Sequence, residues 1–308
     1  MTMAYRFAHL TDPHLPLTRG DLRPVARLMN KRLSGALSWG FRRRHLHLPE
    51  VLARTAADIH AHRPGHIVLT GDLVNISLPQ EFARATQWLA TLGDPENVSV
   101  TPGNHDAYVK SAVETGIWPW AAYMQGDAGN GKTEFPYCRI REGIAFIGLS
   151  TAVPTPLFSA AGGIGAEQLT KLGRLLESLG RDGMMRVVML HHPPGAAGDS
   201  RRKGLDDRES LRRVIARHGA ELILHGHTHR SVLDYLSGPR GPAPVLAPSS
   251  ASALDPNGEN ARWHLLEAER AAGGGWRIGV TVRGLDGLGQ FRTEGKFYLR
   301  SETVNTAW

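Results

Sequence analysis

Short apolar runs rich in Val, Ile and Leu recur along the chain at 5–10, 67–70, 98–101, 144–149, 187–190 and 222–224. Each is short and apolar enough to be a strand buried on both faces. Segments with apolar positions at helical spacing separate several of them, at 48–62, 79–92, 166–179 and 207–218. Strand and helix in alternation predict βαβ units and a largely parallel sheet. After Arg230 the pattern changes. Gly238, Pro239, Gly241 and Pro242 punctuate the chain, and a period of two sets in through Trp276, Ile278, Val280 and Val282. This β-rich part, from about 231, predicts antiparallel strands completing a second sheet. The triplet Gly273, Gly274, Gly275 lies between alternating stretches and reads as a hairpin loop rather than a linker.

Composition narrows the class. With 41% hydrophobic and 21% charged residues, the 308-residue chain is an ordinary globular one, read here as one domain, 1–308. The lone Cys138 excludes an intramolecular disulfide framework and a Cys-rich zinc site, which points to a reducing compartment. No run approaches the roughly 20 apolar residues of a membrane span, and no signal-like apolar region precedes the first strand. The expectation is a cytoplasmic protein, with attachment to the inner face of a membrane left open.

Charge adds a local feature. The formal net charge is +7, yet residues 19–48 hold 8 of the 36 Lys+Arg and one of the 29 Asp+Glu, so the remainder balances. The uniformly basic surface of a protein that coats nucleic acid is excluded, and no extended nucleic-acid interface is expected.

The chemistry follows the strands. Immediately after five of them come Asp12-Pro13-His14, Gly71-Asp72, Gly103-Asn104-His105-Asp106, His191-His192-Pro193-Pro194 and His225-Gly226-His227-Thr228-His229. Loops leaving the carboxyl ends of parallel strands converge on one crevice, so five polar clusters would face each other. Seven of the 15 histidines fall in these clusters. Any one of them alone reads more naturally as a satisfied loop or core residue. Carboxylate, imidazole and amide oxygen together, without thiolate, suit divalent metals of intermediate hardness such as Mn, Fe, Co or Zn.

The ordered set D-x-H, G-D, G-N-H-D, H-x-P and G-H-x-H, carried by these residues, resembles the calcineurin-like metallophosphoesterase superfamily over about 5–230. The resemblance implies a four-layer αββα sandwich of two mixed sheets, with a dinuclear site at the strand C-terminal ends. Position by position, it assigns one metal ion to Asp12, His14, Asp72 and His229. The second goes to Asp72, Asn104, His191 and His227, with Asp72 shared. His105 would be the non-ligand histidine that stabilises the transition state or protonates the leaving oxygen, with Asp106 orienting it. His192 and His225 then serve supporting or structural roles. The implied reaction is hydrolysis of a phosphate ester by a metal-bound hydroxide, the two ions clamping the phosphoryl oxygens. One departure is Asn75, where many cyclic-nucleotide and glycerol phosphodiesterases carry a second acid.

Substrate class rests on the basic segment. Sixty positions separate Asp12 from Asp72, more than a loop and one helix need, so 19–48 reads as an insertion beside the site. Val25, Leu28, Met29, Leu33, Ala36 and Leu37 follow helical spacing, with Arg23, Arg27 and Lys31 on another face, followed by Trp39, Phe41, Arg42, Arg43 and Arg44. The plain reading packs the stripe on the protein itself or on a partner subunit. The sharper reading is an interfacial helix on an anionic membrane surface, presenting a lipid or lipid-linked phosphodiester. Arg42, Arg43, Arg44, Arg201, Arg202 and Lys203 are then substrate-contact candidates, with solvated loops as the alternative. A soluble phosphodiesterase for cyclic nucleotides or glycerophosphodiesters is the competing expectation. A nuclease or a non-catalytic scaffold ranks below both.

Overall fold

The computed structural model describes residues 4–23, 28, 31–110, 118–129, 131, 133–196, 202–272 and 274–299. The chain order is β1 (Tyr5–Leu10), α1 (Lys31–Ser38), a π-helical turn (Trp39–Arg43), α2 (Arg44–Leu46), α3 (Pro49–His62), β2 (His66–Leu69), α4 (Pro79–Leu92) and β3 (Val98–Val100). There follow β4 (Tyr137–Arg141), β5 (Ile144–Gly148), α5 (Ala166–Arg181), β6 (Met185–Met189), α6 (Arg208–His218), β7 (Leu222–Leu224), β8 (Val232–Leu236) and β9 (Ala243–Ala247). Three long strands close the fold: β10 (Arg262–Arg270), β11 (Trp276–Leu285) and β12 (Phe291–Leu299).

Among the described residues these strands form two six-stranded mixed sheets. The first runs β12-β11-β10-β1-β2-β3 and the second β4-β5-β6-β7-β9-β8. Parallel pairing holds β1, β2 and β3 together in one, and β5, β6, β7 and β9 in the other. The second sheet shows why its strands read as unbroken apolar runs. Ile144, Phe146, Val187, Met189, Leu222 and Leu224 point into the core between the sheets. Their neighbours Ala145, Ile147, Val188, Leu190 and Ile223 pack under Leu169, Leu172 and Leu176 of α5 and Leu211 and Ile215 of α6. Both faces are covered, so both must be apolar. Phe7 of β1 meets Phe146 of β5 edge-on at 5.2 Å, joining the two sheets. Leu52 and Ile59 of α3 and Phe82, Ala85 and Leu89 of α4 belong to this same central core.

Helices α3 and α4 start where the sequence expects them, each with proline in the first turn after an extended leucine. One expectation needs correction. The long C-terminal strands were expected to complete the second sheet, but only β8 and β9 do so. β10 to β12 extend the first, because β10 pairs antiparallel with β1. The turn between β10 and β11 is a hairpin, with Arg270 opposite Trp276, although Gly273 lies outside the described residues.

The amphipathic stripe of the insertion splits into two faces. Leu28, Ala36 and Trp39 are buried with Leu17, Ile76, Leu78 and Tyr108. Leu33, Leu37 and Phe41 face outward, Phe41 being 84% exposed. Val25, Arg27 and Met29 lie outside the described residues. Lys31 and Arg32 are anchors. Lys31 Nζ bonds Thr155 Oγ1 (2.6 Å) and the Ser159 carbonyl (2.8 Å), and Arg32 bonds the Ile76 and Ser77 carbonyls.

Candidate metal centre

All five polar clusters leave the carboxyl ends of parallel strands: β1, β2 and β3 from one sheet, β6 and β7 from the other. The loops are held in unusual shapes. Of the nine non-glycine residues with positive φ among the described residues, five are Asp12, His14, Asp72, His227 and His229. Each such residue costs on the order of 1–3 kcal/mol, and such strain concentrates where function requires it. Glycine makes the closest approach possible. A Cβ at Gly71, where φ is +90°, would lie 2.7 Å from His191 Nδ1 and 2.7 Å from the Gly103 nitrogen.

Two donor groups result, and Asp72 belongs to both. In the first, His14 Nε2 is 3.2 Å from His229 Nε2, 3.8 Å from Asp72 Oδ2 and 4.0 Å from Asp12 Oδ1, and His229 Nε2 is 3.2 Å from Asp12 Oδ1. In the second, His191 Nε2 is 3.4 Å from Asp72 Oδ2, 3.1 Å from Asn104 Oδ1 and 3.2 Å from His227 Nδ1, and His227 Nδ1 is 2.8 Å from Asn104 Oδ1.

The donor chemistry fits a pair of cations. His14 Nδ1 donates to the Val74 carbonyl and His191 Nδ1 to the Thr70 carbonyl, so in the neutral rings each Nε2 turns a lone pair toward the carboxylates. Acceptors gathered this closely repel unless positive charge lies among them. Electrostatics agree. Burial keeps His14 and His227 well below the usual imidazole value, hence neutral. Burial would raise Asp72, but the charge and hydrogen bond of His191 outweigh it and hold its carboxyl well below the usual range. Burial also opposes charging His191, yet the Asp72 carboxylate lifts it to about 9. A proton or a metal cation therefore competes for that place.

His192 is separated from its neighbour by its bonds. Its Nδ1 meets Thr151 Oγ1 at 2.7 Å and its Nε2 the Ala160 carbonyl at 3.0 Å, leaving neither nitrogen for an ion. His225 Nδ1 meets the Gly226 carbonyl at 2.9 Å. Asn75 Nδ2 donates to the Leu15 carbonyl, tying the second loop to the first.

His105 lies at the mouth. Its backbone N–H donates to Asp72 Oδ1 (2.8 Å), its Nδ1 to the Asn75 carbonyl (2.5 Å), and its ring stacks on Tyr108 at 5.4 Å. Arg43 Nη1 sits 3.1 Å from that same Nδ1, a close charge contact rather than a hydrogen bond because Nδ1 is already the donor. Burial and then the Arg43 charge lower His105 to about 3.

Asp106 was expected to orient His105, and its bonds run elsewhere. Oδ2 accepts from the Asp72 and Gly103 amides and Oδ1 from those of Leu73 and Val74. Its carboxylate organises the backbone beneath Asp72. Burial and the Asp72 charge push it up to about 7, against the pull of these amides.

Above the two groups lies a cleft of about 570 Å³. Its lining includes Arg43, Lys203 and Arg230 as well as Asp255, Asn257 and Glu259. Of the substrate-contact candidates, Arg43 and Lys203 reach this lining. Arg44 does not, its Nε bonding His45 Nε2 at 2.9 Å, and neither does Arg202, which is exposed. The Arg42 side chain and all of Arg201 lie outside the described residues. Sequence reasoning missed His47, which is buried in the lining. No motif marks it. Its place depends on Leu48 N–H bonding the Ser252 carbonyl and Leu254 N–H bonding that of Leu46, across some 200 positions of chain.

The calcineurin-like phosphoesterase family profile matches residues 5–231. The chain belongs to the calcineurin-like phosphoesterases. A probable cyclic nucleotide phosphodiesterase of Synechococcus sp. (strain ATCC 27144) is 30% identical over 218 residues, covering 70% of this chain and 75% of that protein. Another so named, from Synechococcus sp. WH7803, is 26% identical over 235 residues, covering 73% and 74%. In fold the chain resembles a dimetal phosphatase from Danio rerio, with a TM-score of 0.61, 14% identity and coverage of 97% and 100%. The purple acid phosphatase PPD1 of yellow lupin (Lupinus luteus) also scores 0.61, at 13% identity, with 97% of this chain and 54% of that one covered. This phosphoesterase thus has the family's two mixed sheets, with a His/Asp cluster where their loops meet.

Proposed function

We propose that this phosphoesterase is a metal-dependent phosphodiesterase. The carrying observation is the pair of donor groups sharing Asp72 at the floor of a cleft with basic side chains on its rim. Asp12, His14, Asp72 and His229 hold one ion, and Asp72, Asn104, His191 and His227 the other. The donor set admits Mn, Fe, Co or Zn. Bound there, two ions supply Lewis acidity to the phosphoryl oxygens and acidify a water.

The chain's own groups do the rest. Arg43 and Lys203 neutralise the phosphate charge as it enters. His105 keeps Nδ1–H on the Asn75 carbonyl, so proton exchange with the leaving oxygen takes place at Nε2. Asp106 acts as a positioning residue under Asp72. Burial pushes the Cys138 thiol up to about 12, so it is no nucleophile, and direct hydrolysis without a covalent enzyme intermediate is the proposed course. The two cyanobacterial relatives support a diester substrate, and a cyclic nucleotide is the first compound to test.

A second substrate reading rests on one surface. Leu33, Leu37 and Phe41 line the outer face of the insertion, and Leu157 and Phe158 stand exposed on the loop that Lys31 ties to it. Ser38 and Arg43 of the same segment line the cleft. An apolar ridge beside a cleft that Arg43 helps to line favours a lipid-linked phosphodiester taken from the anionic inner face of a membrane. Among the described residues no helix is long and apolar enough to cross one. Mn-loaded protein screened on a bis-aryl diester, an aryl monoester, cyclic nucleotides, glycerophosphodiesters and phospholipids decides the class. Turnover of the monoester alone refutes the diesterase. Failure of the protein to float with anionic liposomes refutes the lipid reading.

A further inference from the structure

We infer that His47 is an additional metal ligand, contributed by the insertion to the first ion position. The inference rests on the two-ion reading above. A ring nitrogen of His47 lies within 4.8 Å of ligand nitrogens of both His14 and His229. The ring centroids are 4.5 Å from His14 and 5.2 Å from His229, and the residue is buried.

Its hydrogen bonds decide which nitrogen faces the ion. Nδ1 lies 2.9 Å from Ser252 Oγ and 3.2 Å from Ser250 Oγ. Ser250 Oγ gives its own proton to the Asp12 carbonyl at 2.7 Å, so toward His47 it can only accept. With Ser250 Oγ able only to accept, the tautomer that satisfies both contacts puts the hydrogen on Nδ1 and leaves Nε2 the lone pair that would bind metal. Metal-bound histidines are oriented in this way, through the N–H of the other ring nitrogen. Ser250 also couples His47 to Asp12, a residue of the first ion group, through two hydrogen bonds.

The backbone holds this ring in place. His47 N–H bonds the Arg43 carbonyl at 2.9 Å, and His47 forms a bridge with Ala253. Asp12, His14, Asp72, His229 and His47 then give the first position three imidazoles and two carboxylates. The second has two imidazoles, an amide oxygen and the shared carboxylate. The first ion should be bound more tightly, and its site should favour imidazole-preferring metals such as Zn over Mn.

The test is metal binding to full-length protein. Chelator-stripped wild type, His47→Ala and His47→Phe are titrated with Co2+ and separately with Zn2+, reading cobalt absorption and bound metal by mass spectrometry. The expected result is that both variants bind the tighter ion about 10- to 100-fold more weakly, taking the range measured for groups that support metal ligands as a guide. Their cobalt spectrum changes, and affinity for the other ion stays within about twofold. His47→Phe preserves ring volume, so a loss seen in it does not come from collapse of the site. Two ions bound by wild type, with unaltered affinities and spectrum in His47→Phe, overturn this inference alone. Fewer than two ions bound by wild type overturn the two-ion reading and this inference with it.

Discussion

Asp106→Asn is the most searching substitution for the loop geometry. It preserves shape, but one carboxylate oxygen becomes an NH2 that faces two backbone N–H groups. Each oxygen now accepts two such bonds, at 2.8–3.1 Å in all, from Asp72, Gly103, Leu73 and Val74. A hydrogen bond to a charged acceptor contributes about 1.5–3 kcal/mol, so losing two with their donors still buried costs about 3–6 kcal/mol. For a chain of 308 residues, at about 2.1 cal/mol/K per residue, this lowers Tm by about 5–9 °C. The assay is thermal unfolding at pH 8, above the value of about 7 to which Asp106 is pushed, so that the carboxylate is ionised in wild type; removing that buried charge returns part of the lost stability, so the fall is expected at the lower end of this range. Bound metal is measured in parallel and should fall, because the donors belong to the turns that carry Asp72 and Asn104. Wild-type Tm together with wild-type metal content in Asp106→Asn would refute the assignment of Asp106 to the backbone beneath the ligands.

Other predictions follow from the same site and core. Asp72→Ala or His229→Ala should abolish turnover with loss of bound metal, whereas His105→Ala should retain metal and lose turnover; metal analysis beside initial rates separates the two. Burial lowers His66, bonded to Ser99 and stacked on Phe146, to about 3. The unfolded chain protonates near 6.5, so the stability this neutral ring contributes is complete above that pH and is lost as pH falls toward 3. The loss is about 1.4 kcal/mol per pH unit. His66→Phe with Ser99→Ala should flatten the urea-stability profile between pH 6 and 4 by one proton, and an unchanged slope counts against the argument. Glu221→Ala strands Arg186, whose guanidinium lies buried against it at 2.5 and 2.9 Å, and should cost about 3–5 kcal/mol in urea unfolding. A cost below about 1 kcal/mol would show the pair to be solvated.

The sequence by itself determined the strands that carry the chemistry, because a strand buried on both faces has few polar positions to spare. The runs at 5–10, 187–190 and 222–224 could end only where the chain meets polar loops. Those ends are where Asp12, His191 and His227 stand. The ordered polar clusters were legible for the same reason, since each sits beside the strand that delivers it.

Tertiary structure alone decided what depends on contacts far along the chain. β10 to β12 joined the first sheet because β10 found the edge of β1, a pairing that alternation within β10 or β11 cannot specify. Asp106 serves backbone amides rather than His105 because the Gly71 turn folds over it. His47 carries no local signal. It enters the site only because the end of the insertion pairs with residues near Ser252. That same packing left Leu33, Leu37 and Phe41 outside while burying Leu28, Ala36 and Trp39. Periodicity defines an apolar stripe along a helix, whereas the neighbouring surface determines how much of it is covered.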